Sequence, residues 1–577
     1  MSDDHEAYGA IVSRIDAAEA YDFGPTDGGD DTAPPSPPAS ESHEGGSGPV
    51  NEAILGLCAA EPETDIGNGR RFLHWNRDGV LYVARIGWHV YDGMRWAEDV
   101  EGRLIRPLAH QVVERIVLEA RLIDAAPFEA KAIEAAKEAA DALTRSEDKA
   151  ADAGLKRIVA EGADAEKALK GRKSGRRRYG KTSGSSGKLD NMLREGAPYV
   201  SWTVSDLDAD PLAINCQNGT IRLVQGLHPT VPDAWGVQAS EHNRRDLISK
   251  LMPVDHSPGA SAPLFHEFLE RVQPNQTIRK FLQRYFGYCL TALTTEQVFA
   301  FFYGEGRNGK STLVDLVSRI LGDYSTTVPF ETLAGDERRK GGEATPDLAR
   351  LPGARMVRAS EPEQGMKLRE SVVKALTGGE PILIRRLHAE FNEVYPTFKL
   401  VISGNHKPDV RGTDDGIWRR VLLVPWEIQI PREDVDQGLP DKLWAERAGV
   451  LNWMIEGALD YLTYGLEVPD EVRAATDSYR EESDPVGAFI AAACDITGDP
   501  NDVMTPGALY TAYKIFCDQA AFNHWTASTF NRQLPRKASK LGFAKAKTNG
   551  NTVYRGIRLR SDFGSAPIPS YTPDGRE

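Results

Sequence analysis

Gly304–Ser311 reads GEGRNGKS, a G-x-x-x-x-G-K-[ST] pattern that arises often by chance and gains meaning from its flanks. The apolar run VFAFFY leads into it and the amphipathic STLVDLVSRILG leads out, so the spacing predicts strand, loop and helix. In that order the loop amides and the helix N-terminus face a phosphate. Gly304, Glu305, Gly306, Arg307, Asn308, Gly309, Lys310, Ser311 and Thr312 are therefore the expected nucleotide loop. Lys310 should reach the β and γ phosphates of ATP, and Ser311 should hold Mg²⁺. Gly175–Thr182, GRRRYGKT, fits the same pattern with charge before it and SGSSGK after it, and is read as a decoy.

A phosphate loop hydrolyses ATP only with a carboxylate for metal and water, a polar γ-phosphate sensor and a charge-stabilising arginine. Downstream, the strand-like ARMVRAS runs into Glu361 and Glu363, with Glu361 the first choice as Mg²⁺ ligand. The buried run FKLVISG ends at Asn405, a candidate sensor. DDGIWRRVLLVPW then sets Arg419 and Arg420 before another apolar strand, as candidates for an arginine finger.

GEGRNGKST, RASEPE, KALTGGEPILIRRLH, VISGN and WRR, in this order, resemble the superfamily 3 helicases, and more narrowly the phage and plasmid primase-helicases with their poxvirus-type relatives. WHVYDGMRW and INCQNGTIRL resemble the collar domain that precedes the ATPase in that family. The resemblance implies an AAA+-like P-loop ATPase core with an N-terminal α+β collar and a homo-hexameric ring. It implies translocation on single-stranded DNA, usually 3′ to 5′, unwinding of forked DNA, and an arginine finger acting on the next subunit's nucleotide. It also implies a DNA-contacting hairpin between the two ATPase strands, here with Arg385, Arg386 and His388 near its turn. Glu380 stands where relatives often have Asp; the carboxylate is kept. A nucleotide-switched DNA-binding initiator and a DNA-packaging ATPase are the alternatives.

The 577 residues allow about four folded units. Residues 1–66 hold 15 acids against one base, Arg14, and so carry almost the whole net charge of −15. The remainder is balanced, which leaves room for basic DNA-binding surfaces. Five scattered cysteines without zinc spacing fit a reducing cytoplasm, expected to be that of a bacterial host. No apolar run is long enough to span a membrane.

Composition predicts disordered tails at 1–50 and 564–577. Between them are expected a collar-type domain over 51–225, a helical lead-in over 226–295, the ATPase over 296–480 and a winged helix over 484–563. RFLHW, VLYVARI and WHVYDGMRW read as strands of the collar. The run Lys170–Lys188, with eight bases and no acid, reads as a flexible basic loop. Residues Phe530–Arg560 hold nine bases and no acid, and Arg532, Arg536, Lys537 and Lys540 are the expected DNA contacts there. No primase domain is expected ahead of the collar, so a separate primase is the expected partner.

Overall fold

The computed structural model describes residues 51–145, 151–227, 234–335, 347–359, 365–385, 391–410, 415–520, 524–548, 550–561 and 563. Both composition-biased tails lie outside them. The chain divides into two compact units, one of residues 1–92 with 97–203, the other of 93–96 with 204–577.

In the first unit, strand Val80–Val83 pairs antiparallel with Gly87–Tyr91 and parallel with Ser201–Trp202. Phe72, Trp88, Val112, Ile116 and Met192 fill its core. RFLHW is not a strand but part of helix Asp65–Asn76, whose N-cap Thr64 accepts from the Gly67 amide. Its aromatic content suggested a strand; the cap and the helical stacking of Phe72 and Leu73 into the core decide otherwise.

Lys170–Lys188 is likewise not a loop. Helix Ala151–Ser183 runs through most of it and Ser186–Gly196 follows. Glycine costs about 1 kcal/mol per helical position, and tertiary tethers offset that. Arg172 pairs with Glu129, Arg176 pairs with Glu63 and with buried Glu119, and the Tyr179 hydroxyl donates to the Thr64 carbonyl. Gly162 is needed for close approach, since a Cβ there would lie 2.1 Å from that of Ala136 on the antiparallel helix Pro127–Leu143. The decoy motif GRRRYGKT is thus helical.

The second unit is built on a parallel five-stranded sheet. Its spatial order is Val421–Pro425, Phe299–Tyr303, Lys399–Gly404, Met356–Ala359, Ser325–Val328. Alternate residues of each strand enter different cores. Phe299, Phe301, Leu400, Ile402, Val421 and Leu423 face one. Ala300, Phe302, Val401, Leu422 and Val424 face the other, with Leu313, Val317 and Ile320 of helix Lys310–Leu321. Burial on both faces explains why these strands read as unbroken apolar runs.

The small sheet Ala213–Cys216, Gly219–Gln225, Trp235–Ser240 also belongs here. Ile214, Cys216, Ile221 and Leu223 join the core of Phe265, Phe281 and Tyr285, which moves the expected boundary at 225 back to residue 203. At the C-terminus, helices Pro485–Ala493, Pro506–Gln519 and Ala527–Leu541 pack with the ribbon Ala544–Thr548, Asn551–Arg555 around Phe489, Phe516 and Phe530. No described helix is long and apolar enough to cross a membrane.

Two cations are buried where the parallel strands begin. Arg355 donates to the carbonyls of Leu290 and Ala213, and the Lys399 ammonium to those of Thr291, Leu293 and Thr397. Burial pulls the Lys399 ammonium from its ordinary 10.5 down to about 7. From pH 7 to 8 the unfolded chain then holds the extra proton, so stability should rise by about 1 kcal/mol over that unit. Urea midpoints of wild type and Lys399→Met at the two pH values test this; the rise should be missing from the variant, and equal slopes would contradict it.

Candidate nucleotide site

Parallel sheets bind ligands beyond the carboxyl ends of their strands, and there the expected loop and Asn405 meet. Register pairs Gly404 with Tyr303, so the loop after Tyr303 and the turn after Gly404 leave the sheet side by side. Lys310, only 4% exposed, donates through Nζ to the Gly304 carbonyl and, at 3.1 Å, to Asn405 Oδ1. Two residues nearly a hundred positions apart in sequence thus share one point.

The loop is held open by its surroundings. Asn308, 3% exposed, donates to the carbonyls of Glu305 and, at 3.3 Å, Trp426. The Trp426 amide in turn donates to the Tyr303 carbonyl at 2.7 Å, and the Ile430 amide to that of Arg307. Gly309 takes φ +80° as the helix N-cap and offers no side-chain acceptor, so apart from the Lys310 amide, which donates to Asn308 Oδ1 at 3.5 Å, the first turn of Lys310–Leu321 keeps amides for an anion. Ser311 is exposed on that turn, beside the half-buried Thr312. A buried ammonium, an uncapped helix start and an exposed hydroxyl fit a nucleotide's phosphates and their Mg²⁺.

Trp426 and Lys407 escaped the sequence reading. Trp426 follows the apolar strand and reads as core, yet its backbone buttresses the loop. Lys407, two residues past the sensor position, lies 4.7 Å over the Tyr303 ring and pairs with Glu482 at 2.7 Å.

Arg419 and Arg420 lie elsewhere. Val421 pairs with Phe299, and the Phe299 amide donates to the Arg420 carbonyl, so both arginines sit where the strands begin. At about 3.3 Å per residue, the five-residue strand Phe299–Tyr303 separates them from their own chain's loop. Arg420 is 8% exposed, anchored on the Gly416 carbonyl at 2.6 Å, and its Nε–H has no acceptor among the described residues. Burial first, then Arg419, pushes its guanidinium below the usual range. Arg419 is exposed and touches only Gln297, at 3.4 Å, among its described side-chain hydrogen bonds.

Glu361 and Glu363 lie outside the described residues, as do Arg386 and His388. Arg385 is on the hairpin strand Ile382–Arg385, paired with Phe391–Val394, with its guanidinium 5.3 Å over the Phe391 ring. Leu383 and Tyr395 on the same hairpin are 62% and 60% exposed. In the C-terminal helix Ala527–Leu541, Arg532, Arg536 and Lys540 are exposed. Lys537 instead pairs with Asp484, which caps helix Pro485–Ala493, so part of its charge is spent inside the unit. No group of three or more acids, cysteines and histidines suited to a metal occurs among the described residues.

Residues 69–274 match the family described as D5 N terminal like, and 302–420 match a family of unknown function, DUF5906. A putative helicase of Acanthamoeba polyphaga mimivirus is 28% identical over 240 residues, covering 39% of this chain and 25% of that protein. A putative helicase of Frog virus 3 is 26% identical over 269 residues, covering 43% and 27%. A putative primase of African swine fever virus is 24% identical over 218 residues, covering 38% and 22%. Over these stretches the chain is similar to putative helicases and a putative primase of viruses, and it carries a D5 N terminal like segment. WHVYDGMRW and INCQNGTIRL both fall inside the D5 N terminal like match. The matched stretches span about a quarter of these relatives' length. Among solved structures, the apo C-terminal region of NrS-1 aligns over 58% of this chain and 95% of its own, at 12% identity and a TM-score of 0.35, too low to carry an argument.

The crowding around the loop gives a direct test. A Cβ on Gly304 would sit 2.1 Å from the Trp426 carbonyl oxygen, a backbone atom that cannot swing away, whereas Gly306 has nothing within 4 Å. Gly304→Ala should cost about 1–3 kcal/mol and lose nucleotide binding, with Gly306→Ala near wild type in thermal unfolding. Equal behaviour of the two variants would contradict this account of the loop.

Proposed function

We propose that this chain is an ATP-driven replicative DNA helicase of the superfamily 3 type, an AAA+-like P-loop ATPase working as a homo-hexameric ring on single-stranded and forked DNA. The observation that carries the reading is the 3.1 Å contact of Lys310 with Asn405 at the carboxyl edge of the sheet, with Arg419 exposed at the opposite edge. The names of the viral relatives, putative helicases among them, support it.

In this mechanism Lys310 and the first-turn amides hold the β and γ phosphates of ATP. Ser311 and Glu361 would hold Mg²⁺, which would supply positive charge to offset that developing on the phosphates. Asn405, fixed by Lys310, orients the attacking water against the γ-phosphate, and Glu361 with Glu363 takes its proton. Arg419 is assigned as the finger for the neighbouring subunit's ATP, because it is exposed while Arg420 is buried and anchored to its own chain. Arg385, with Arg386 and His388, contacts the strand in the ring. The C-terminal unit, read as a winged helix, adds phosphate contacts through Arg532, Arg536 and Lys540. A separate primase is the proposed partner.

Displacement of a labelled strand from a 3′-tailed duplex tests the reading. Wild type should unwind with ATP, and Lys310→Ala should lose both hydrolysis and unwinding by at least about a hundredfold. Unwinding that survives the substitution, or hydrolysis without any strand separation by wild type, would overturn it in favour of a switch or a packaging motor.

A further inference from the structure

The first unit contains a hollow of about 570 Å³, lined by residues that all precede the nucleotide loop in sequence. Tyr82 and Trp88 of the small sheet line it on one side, and Asp190, Leu193 and Arg194 of helix Ser186–Gly196 on the other. The two rings meet edge to face at 5.5 Å, which fixes Tyr82 against a buried neighbour. Arg194 is exposed and forms no ion pair among the described residues. Asp190 is already neutralised by Arg106, so the rim is positive. Tyr199, on the turn whose Ala197 and Pro198 line the hollow, is 51% exposed and is hydrogen-bonded by Arg70.

The sequence leading to Arg194 is basic as well. Between residues 167 and 194 Asp190 is the sole acid. The basic run, once Arg172 and Arg176 are paired internally, still presents Arg177, Arg178 and Lys181 as exposed side chains just before the helix that bears Arg194. A rigid aromatic wall and an uncommitted guanidinium together suit a strand whose bases are free to leave their neighbours. Duplex DNA offers phosphates to the same charges but keeps its bases stacked, and so leaves the rings unused.

We propose that this hollow is a single-stranded nucleic-acid docking site, in which a base packs against Tyr82 and an adjoining phosphate is held by Arg194. It is independent of the nucleotide loop.

Photo-crosslinking of the full-length chain to a bromodeoxyuridine-substituted oligonucleotide, with peptide mapping, reads the site directly. Crosslinks should fall on peptides containing Tyr82 or Tyr199, should persist in Lys310→Ala, and should be lost on competition with unlabelled single strand but not with an equal amount of duplex. In anisotropy titrations Tyr82→Ala and Arg194→Ala should each weaken oligo(dT) binding by roughly tenfold. Tyr82→Phe, which keeps the ring, should bind as wild type, and an unchanged melting temperature of Arg194→Ala separates lost contact from lost fold. Crosslinks confined to residues 382–395 and 485–560, or equal weakening for single strand and duplex, would overturn the proposal. Because persistence in Lys310→Ala is scored separately, failure of this site and failure of the helicase reading give different results.

Discussion

Everything in the second unit depends on one pairing, the register that sets Gly404 beside Tyr303 in a parallel sheet. It brings the Lys310 ammonium to the Asn405 amide oxygen although nearly a hundred residues separate them. It also fixes what cannot meet. The strand beginning at Val421 runs the same way, so the arginines before it are carried to the opposite edge. In the proposed helicase, the phosphate loop at one end of the sheet and the exposed arginine at the other are brought together by a neighbouring subunit.

The core explains why that register is stable. Each central strand divides its side chains between two separate cores, so a slip of one residue would exchange them all. Gly304, Asn308 and Trp426 extend the same order past the sheet, since the loop is braced by backbone from the neighbouring strand's end. Buried Arg355 and Lys399 do comparable work where the strands begin, binding carbonyls that would otherwise be left without donors.

The sequence revealed the sheet's strands and the loop because unbroken apolar runs ending in Gly304 and Asn405 have few other readings. It concealed strand order, and with it the finding that Arg419 and Arg420 lie far from Lys310 in the same chain. Which of the two arginines is exposed was also hidden, because adjacent residues of one type are told apart only by the packing that buries Arg420. RFLHW misled through its aromatic content, although Thr64 ahead of it was a visible cap. The glycine-rich basic run misled because Glu63, Glu119 and Glu129, which hold it as a helix, are distant in sequence. In the C-terminal unit the density of bases was legible, but not that Lys537 is tied to Asp484.

The central claim is that a working site is shared by two subunits. Mixing Lys310→Ala chains, which keep their arginine, with Arg419→Ala chains, which keep their loop, tests it most directly. Each variant alone should be inactive in ATP hydrolysis, and the mixture should regain a substantial fraction of wild-type activity at interfaces where an intact loop meets an intact arginine. No recovery on mixing, with both variants shown to assemble, would contradict the account.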